Sequence, residues 1–425
     1  MLNETMAAAG AAGGGFDVEA ATRAYLATLQ GAARAKSDSY FEGGYWLLLW
    51  GAVVGVASHW LMLRLGWSAA WRRWAERVTK WRWLQPALYA LPYVVFASLI
   101  VLPWTLYTGF FRERQYGLMN LSLGGWLGEQ AIGLAISMVA TALILMVIFA
   151  VIRRAPRTWW LWGTAALACV IAFAAAVEPV FVTPLFNTYK PMAQGPLRTE
   201  ILTMAQAHHI PADNVYVFDA SKQSKRISAN VSGLGPTIRI SLNDNLLNRS
   251  TPAEVKAVMG HEMGHYVLGH VWNLILGASA IILAGMLLLW WLTPRILARH
   301  GARWGIEGVA DPAVVPLLAL IFTLFMLVAT PVLNTIVRTQ EEAADAFGLD
   351  SAREPDGFAS TAMKLSEYRK IEPGRLEELF FFDHPSGYNR VHRAMAWKAR
   401  HLAELPPGRR AMVTPAPVPS ASGAR

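Results

Sequence analysis

The sequence predicts a mostly α-helical integral membrane protein with about six transmembrane helices and a small α+β domain that carries a short β-sheet. Of the 425 residues, 54% are hydrophobic, only 16% are charged and 18 are tryptophan. The mean hydropathy is positive, and such a composition is typical of proteins that reside in a bilayer. Six apolar runs are each long enough to cross roughly 30 Å of hydrocarbon as a helix.

The N-terminal 42 residues are predicted to precede the membrane helices. The first 15 residues are rich in Ala and Gly, which is typical of a disordered end. Residues 16–35 have the pattern of an amphipathic helix, and a polar segment at 36–39 follows it. The segment 1–42 is therefore expected to be partly disordered and partly amphipathic.

Residues 43–182 are predicted to form a membrane domain of four helices. Its apolar runs cover residues 43–63, 84–110, 131–152 and 159–182. Prolines at 86, 92 and 103 predict kinks in the second helix. The connection between the first two runs carries Arg72 and other basic residues among tryptophans, as expected of an anchor at the membrane interface.

Residues 183–404 have a mixed pattern that predicts a soluble α+β part and two further membrane helices. A helix is expected at 196–208 and strands at 215–218 and 237–242. The two further apolar runs cover residues 271–292 and 313–337. The last segment, 405–425, is rich in Pro, Ala and Ser, which predicts a disordered tail.

Charge and cysteine content exclude some classes of protein. The net charge is +9, but the arginines lie in short segments between apolar runs, where they set topology and contact lipid headgroups. The lipid bilayer is therefore a predicted partner and nucleic acid is not. The lone Cys169 excludes an intrachain disulfide and disfavours a thiolate metal site.

The clearest chemical signal is the segment HEMGH at residues 261–265. His261 and His265 are four residues apart, so they share one face of a helix and can hold one zinc ion per chain. Glu262 then lies beside the ion as a general base for a water molecule that the zinc holds. A helix start at Thr251 places the motif on a helix. The alternative is a solvent-facing helix that carries two histidines by chance.

A third zinc ligand is required, and the best candidate lies at the end of the sixth apolar run. Glu341 and Asp345 are four residues apart, so Glu341 can ligate zinc while Asp345 accepts a hydrogen bond from a ligand histidine. The two membrane helices between the motifs form a hairpin, which returns both motifs to the same side. The alternative is an ordinary acidic helix start. If the helix that carries HEMGH continues, His270 lies nine residues after His261 and therefore on the opposite face of the helix. We expect it to be an interfacial histidine.

The joint pattern resembles that of the Ste24-type CAAX prenyl proteases, which are M48 gluzincins. It consists of HEMGH at 261–265 with Arg338, Glu341, Asp345, Asn334, His384 and Arg390. By this resemblance the α+β domain is zincin-like and its zinc ligands are His261, His265 and Glu341.

The resemblance also implies the roles of residues around the metal. Glu262 is the catalytic base and Asp345 supports a ligand. His384 and Arg390 orient the substrate or stabilise the transition state, and Asn334 binds the substrate backbone.

Eukaryotic members of the family have seven membrane helices around a large chamber, whereas this sequence has six. The segment 16–35 is a candidate to complete the chamber wall.

The implied function is a membrane-embedded zinc metalloendopeptidase for CAAX-type C-terminal processing of a peptide or protein, with or without an attached lipid. Strand 237–242 is the expected edge strand for an extended substrate, with Ile238 and Ile240 as contacts; ordinary sheet packing is the alternative. The alternative functions are a quality-control protease of the same clan and a catalytically idle scaffold or transporter.

The expected location is the inner membrane of a bacterium. Basic residues in the short loops place the zinc site outside the cell, whereas the family resemblance places it in the cytosol, which we favour.

Overall fold

The computed structural model describes residues 16–233 and 237–411, most of which are helical. The N-terminal part contains α1 (Val18–Leu26), α2 (Gly31–Arg64), α3 (Trp67–Val78), α4 (Gln85–Leu106), α5 (Leu123–Arg154) and α6 (Trp159–Val177). The C-terminal part contains α7 (Pro196–Ala207), α8 (Asp244–Arg249), α9 (Pro252–Val267), α10 (His270–Trp304), α11 (Val315–Ala352), α12 (Pro355–Leu365), α13 (Arg375–Phe381) and α14 (Gly387–Arg400). Within the described ranges, six helices are long and apolar enough to cross a membrane: α2, α4, α5, α6, α10 and α11. The predicted fold class is confirmed.

A four-stranded sheet lies beside the C-terminal helices, and its order corrects one prediction. The strands are β1 (Tyr189–Pro191), β2 (Val215–Phe218), β3 (Ala229–Ser232) and β4 (Arg239–Asn243), in the order β1-β2-β4-β3. β2 and β4 are parallel, and the other pairs are antiparallel. The expected edge strand 237–242 is therefore wrong, because β4 is bonded on both sides and β3 is the edge nearest to it.

The substrate contacts predicted on that strand must be corrected with it. Ile240 is fully buried in the core between the sheet and α9, together with Val255 and Met259. Ile238 packs against the same core and is partly buried. Ile240 lies in a strand that is bonded on both sides, so it cannot bind a substrate by adding a strand there. Ile238 precedes β4 and lines a cavity of about 830 Å³, so its contact with a substrate stays a prediction.

The sequence predicted one amphipathic helix at 16–35, but the structure has two helices in this segment. α1 ends at Leu26, and Gly31 has a left-handed φ of 58° where α2 begins. α2 continues through the polar segment 36–39. Its polar residue Ser37 is buried, and the hydroxyl donates to the carbonyl oxygens of Ser366 at 2.6 Å and Arg369 at 3.1 Å.

The position of α1 rules it out as part of a chamber wall. Tyr25 and Leu26 of α1 are buried with Val391 and Met395 of α14. The amphipathic segment therefore covers the soluble domain instead of completing a wall between membrane helices.

The basic connection after α2 forms a helix with a structural ion pair that the sequence did not reveal. Arg72 of α3 is buried, and its Nη1 lies 3.2 Å from Oδ2 of buried Asp311. Arg72 also contacts Glu307. This residue thus joins α3 to the loop between α10 and α11, whereas the neighbouring Arg73 is exposed and fits the predicted interfacial role.

Two smaller expectations also change. Pro86 lies in the first turn of α4 and starts the helix, so only Pro92 and Pro103 lie inside it. Residues 405–411, predicted as the start of a disordered tail, are ordered, because Leu405 is buried and Lys398 Nζ donates to the carbonyl oxygen of Ala411 at 2.9 Å. Residues 412–425 and 1–15 lie outside the described residues.

Candidate metal centre and active site

The helix that carries the first motif begins where the sequence predicts. Thr251 caps α9, its hydroxyl accepting from Glu254 N at 3.4 Å, and Glu254 Oε2 accepts from Thr251 N at 2.6 Å. Glu254 is also held by Lys364 Nζ at 2.8 Å. These contacts satisfy the first backbone N–H groups of the helix and anchor it to α12.

Close packing of α9 against α11 brings the two motifs together, and glycines make it possible. A Cβ on Gly264 would lie 3.2 Å from Ala344 Cα, and a Cβ on Gly348 would lie 2.8 Å from the backbone nitrogen of His261. Larger residues at these positions would push the helices apart. The hairpin of α10 and α11 returns the chain to α9, as the sequence suggested.

Three side chains converge at the contact between α9 and α11. His261 Nε2 lies 3.1 Å from His265 Nε2 and 3.2 Å from Glu341 Oε2, and His265 Nε2 lies 3.4 Å from Glu341 Oε1. These three residues form a cluster that is able to hold a metal ion. A tetrahedral zinc ion with bonds of about 2.0–2.1 Å separates its ligand atoms by about 3.3 Å, which matches the observed spacing.

The polar atoms of the cluster also fit a metal. Oε2 of Glu341 is buried and has no hydrogen-bond partner among the described residues, and an unpaired buried carboxylate oxygen is costly unless it meets a cation. Two imidazole nitrogens and one carboxylate are a donor set typical of catalytic zinc sites. His261, His265 and Glu341 are therefore the residues that would hold zinc.

A buried ion-pair network lies behind His261. Its Nδ1 is 2.9 Å from Asp345 Oδ1. Arg390 grips the same carboxylate with two nitrogens, Nη2 at 2.6 Å from Oδ1 and Nε at 3.1 Å from Oδ2, and Arg393 Nη1 lies 3.3 Å from Oδ2. Asp345 thus fixes the orientation of His261 with Nε2 toward the cluster. Arg390, predicted to orient the substrate, has these two nitrogens committed to Asp345.

Glu262 lies beside the cluster with a free carboxylate. It lines a cavity of about 230 Å³ together with His261, His265 and Glu341, which we call the catalytic cavity. Its carboxylate makes no hydrogen bond or ion pair within residues 16–233 and 237–411. Burial, together with the charge of Glu341, raises its pKa to about 7, as expected of a group that must accept a proton near neutral pH.

The two histidines have opposite proton affinities in the metal-free protein. Burial lowers the pKa of His261, but the nearby carboxylates of Asp345 and Glu341 outweigh burial and raise it to about 10. Burial and the neighbouring charge of His261 lower the pKa of His265 to about 4. A metal ligand must be unprotonated, so metal binding has to displace a proton from His261.

The structure brings His384 to the site but not Asn334. His384 lines the catalytic cavity, with Nε2 3.4 Å from Glu341 Oε2 and Nδ1 2.8 Å from Asp383 Oδ1. Asn334 instead donates from Nδ2 to the carbonyl oxygen of Phe380 at 2.9 Å. It connects α11 with α13 and lines a neighbouring cavity of about 650 Å³ in place of the catalytic cavity, so its contact with a substrate stays a prediction.

His270 is a neighbour of the cluster that the sequence placed on the wrong side. Its Nδ1 lies 2.9 Å from His265 Nδ1. The extrapolation along one helix fails because α9 ends at Val267 and Gly269, with φ 66°, turns the chain before α10 begins. Glycine after a helix commonly marks its end, so Gly269 was the signal for this break.

The edge strand β3 runs past the cluster, between the catalytic cavity and a second cavity. Ala229, at its start, lines the catalytic cavity, whereas Ser232, at its end, lines a cavity of about 830 Å³ that also contains Trp272. We call the latter the Trp272 cavity. His265 and Glu341 line both cavities. β3 therefore lies beside residues that line both cavities, and its four residues are too few for an alternating sequence pattern that would have predicted it.

Two family profiles match the chain. The profile for peptidase family M48 matches residues 191–398. A profile described as the CAAX prenyl protease N-terminal domain, with five membrane helices, matches residues 24–188. Together the two profiles account for nearly all of residues 24–398.

Individual relatives support the same assignment. An uncharacterized metalloprotease of Bacillus subtilis is 29% identical over 347 residues, which cover 80% of this chain and 81% of the relative. CAAX prenyl protease 1 of Saccharomyces cerevisiae is 29% identical over 181 residues, which cover 42% of this chain and 40% of the yeast protein. A crystal structure of Ste24p from S. mikatae has the same fold, with a TM-score of 0.73, 21% identity and coverage of 87% of this chain and 90% of that one.

Proposed function

This chain belongs to the Ste24-type branch of peptidase family M48, and from that premise we propose that it is a membrane-embedded zinc metalloendopeptidase for CAAX-type C-terminal processing. The observation that carries the proposal is the free carboxylate of Glu262 beside the cluster of His261, His265 and Glu341. A purely structural metal site has no use for an uncommitted base at that position.

The residues around the catalytic cavity have separate roles in peptide hydrolysis. Zinc, when bound, polarises the scissile carbonyl and increases the acidity of water. Glu262 accepts the proton of the attacking water and passes it to the leaving amine. His384, whose Nδ1 is fixed by Asp383, presents Nε2 to the cavity and stabilises negative charge on the carbonyl oxygen.

The substrate is proposed to lie extended along β3. This strand is bonded to β4 on one side only, so the N–H and C=O groups on its other side are available to a peptide. Antiparallel addition is the commoner arrangement in sheets. It places the N-terminal part of the peptide near Ser232 and the C-terminal part near Ala229.

The Trp272 cavity supports a lipidated substrate. It lies on the side that receives the N-terminal part of an antiparallel peptide, and its volume of about 830 Å³ exceeds that of the catalytic cavity. Val271, Trp272 and Leu274 give it apolar walls beside the membrane helix α10. A prenyl chain attached to a residue before the cleaved bond can enter this cavity.

A farnesylated C-terminal peptide and an unfolded membrane protein, offered together to the purified enzyme, test this substrate class. We expect the peptide to be cleaved with the higher kcat/KM, because its lipid buries apolar surface in the Trp272 cavity. The same peptide without the farnesyl group is the control. Preferential cleavage of the unfolded protein would instead assign the enzyme to membrane-protein quality control.

We further propose that the protein resides in a bacterial inner membrane with the cluster facing the cytosol. The family resemblance supports this orientation, whereas the basic residues between α2 and α4 favour the reverse. Single cysteines at the exposed positions Asn248 and Arg73, in a Cys169→Ser background, report the two sides. We expect an impermeant thiol reagent added to intact cells to label position 73 only; labelling of position 248 only would refute the orientation.

A further inference from the structure

One arginine near the catalytic cavity has no partner. Arg369 lies between α12 and α13, is half-buried and lines the catalytic cavity together with Glu262. Its guanidinium makes no hydrogen bond or ion pair with any residue in the described part of the chain. Its backbone is held in place, because Ser37 of α2 donates to its carbonyl oxygen at 3.1 Å. A fixed, partly desolvated cation without a directly bonded counterion favours an anionic ligand.

Arg369 also lines a neighbouring cavity of about 650 Å³ that contains Arg112 and Arg226, which we call the arginine cavity. The other two arginines both lie within ion-pair distance of the carboxylate of Glu113. Arg226 Nη2 lies 2.7 Å from Glu113 Oε2, and Arg112 donates to the carbonyl oxygen of Tyr40. Arg369 is therefore the uncommitted cation among the three.

The acidic side chain on this cavity offsets the charge of Arg369 only in part. Burial tends to raise the pKa of Asp383, but the hydrogen bond with His384 and the charges of His384 and Arg369 outweigh burial and lower it. Asp383 lines the arginine cavity, but its Oδ1 is bound to His384 Nδ1 at 2.8 Å. No carboxylate oxygen of Asp383 lies within ion-pair distance of Arg369. Arg369 therefore lines the cavity without a directly bonded counterion among the described residues.

Arg369 lies near the start of β3, and this position indicates which part of a bound substrate it would contact. The catalytic and arginine cavities share Ile227, Ser228 and Arg369, so the arginine cavity continues past the start of β3. An antiparallel peptide runs toward that end with its C-terminal part. The segment released by cleavage therefore ends in the region of Arg369.

We propose that Arg369 binds the free C-terminal carboxylate of the substrate and thereby selects cleavage near a chain end. This inference rests on the proposed function and extends it, because it names the residue that distinguishes a C-terminal segment from an internal one. A guanidinium presents parallel N–H donors that match a carboxylate. An uncharged C-terminal amide lacks this charge-assisted interaction.

Two CAAX-type peptides that differ only in a free C-terminal carboxylate or a C-terminal amide test the proposal. We expect wild-type kcat/KM to be about 10- to 100-fold higher for the free acid, the range of a hydrogen bond to a charged group. Arg369→Gln should remove the difference by lowering cleavage of the acid and leaving the amide unchanged. Arg369→Lys, which keeps the charge, should retain part of the preference.

Arg375→Gln is the matched control, because Arg375 is an exposed arginine six residues further along that lines none of these cavities. It should keep the full preference for the acid. Zinc content and thermal unfolding of each variant show whether its fold is intact. An equal loss on both peptides in Arg369→Gln, or no preference in the wild type, would overturn the proposal. Dependence on anionic lipid in place of the carboxylate would also overturn it.

The inference and the proposed function fail in different ways. Equal cleavage of acid and amide leaves a peptidase without carboxylate recognition. If neither peptide is cleaved by zinc-loaded protein, the proposed function fails, and fluorescence anisotropy of the labelled peptides still tests Arg369. Tighter binding of the acid that Arg369→Gln abolishes supports the inference, and equal binding contradicts it.

Discussion

Replacing Glu262 with Gln is expected to lower the rate of peptide cleavage by about 10²- to 10⁴-fold, the contribution typical of a general base. The amide has nearly the shape of the carboxylate but cannot accept the proton of the attacking water. Zinc should remain bound at one ion per chain, because Glu262 is not among the residues of the metal cluster. The measurement is kcat on a quenched-fluorescence peptide together with zinc analysis of the same sample.

Glu200→Gln provides the control for this substitution. Glu200 lies on α7, where its Oε2 is 3.1 Å from Lys256 Nζ and its side chain is half exposed, so its loss should leave cleavage unchanged. If Glu262→Gln protein cleaves at the wild-type rate, Glu262 is not the base and the assignment of the catalytic cavity is wrong.

Replacing Glu341 with Gln is expected to weaken zinc binding by more than the 10- to 100-fold typical of residues that only support a ligand. The neutral amide is a poorer donor to a dication and lacks the negative charge of the carboxylate. Cleavage should fall in parallel and recover partly when zinc is added in excess. Competition with a chromophoric chelator measures the affinity.

The neighbouring residue offers a close control. Glu342 is exposed on the same helix, and its Oε2 lies 3.7 Å from Arg393 Nη2. Glu342→Gln should bind zinc as the wild type does. Unchanged zinc affinity in Glu341→Gln would place the third ligand elsewhere.

The arrangement of the metal cluster was predictable from sequence because its information is local. Residues four apart on a helix share a face whatever the tertiary fold, which places His261 beside His265 and Glu341 beside Asp345. Hydropathy then identifies the hairpin of α10 and α11 that joins the two pairs. Membrane helices are also the elements that sequence predicts best, since their backbone groups must be satisfied within each segment.

The features that sequence missed depend on tertiary contacts. β3 has four residues, too few for an alternating pattern, and its place at the edge of the sheet depends on which strands bond to β4. Gly269 allows His270 to turn back to His265, although the periodicity of one continuous helix puts it on the far side. α1 is amphipathic, but amphipathicity alone does not indicate whether a helix covers a protein domain or a membrane.

The same limit applies to Arg390 and Arg369. The motif that contains Arg390 suggested a role toward the substrate, and only the structure shows its two-nitrogen contact with Asp345. Arg369 belongs to no motif in the sequence. It stands out because the surrounding arginines make ion pairs or hydrogen bonds, whereas its guanidinium makes none with the residues that the structure describes, which only three-dimensional contacts reveal.

Zinc-edge X-ray absorption of the purified protein, combined with metal analysis, tests the central claim most directly. The account predicts one zinc per chain with two imidazole nitrogens at about 2.0–2.1 Å and oxygen in the remaining positions, with cleavage lost on chelation and restored by zinc. His265→Ala protein should lose this signal. Substoichiometric zinc in active enzyme, a sulfur ligand, or cleavage that persists after complete chelation would contradict it.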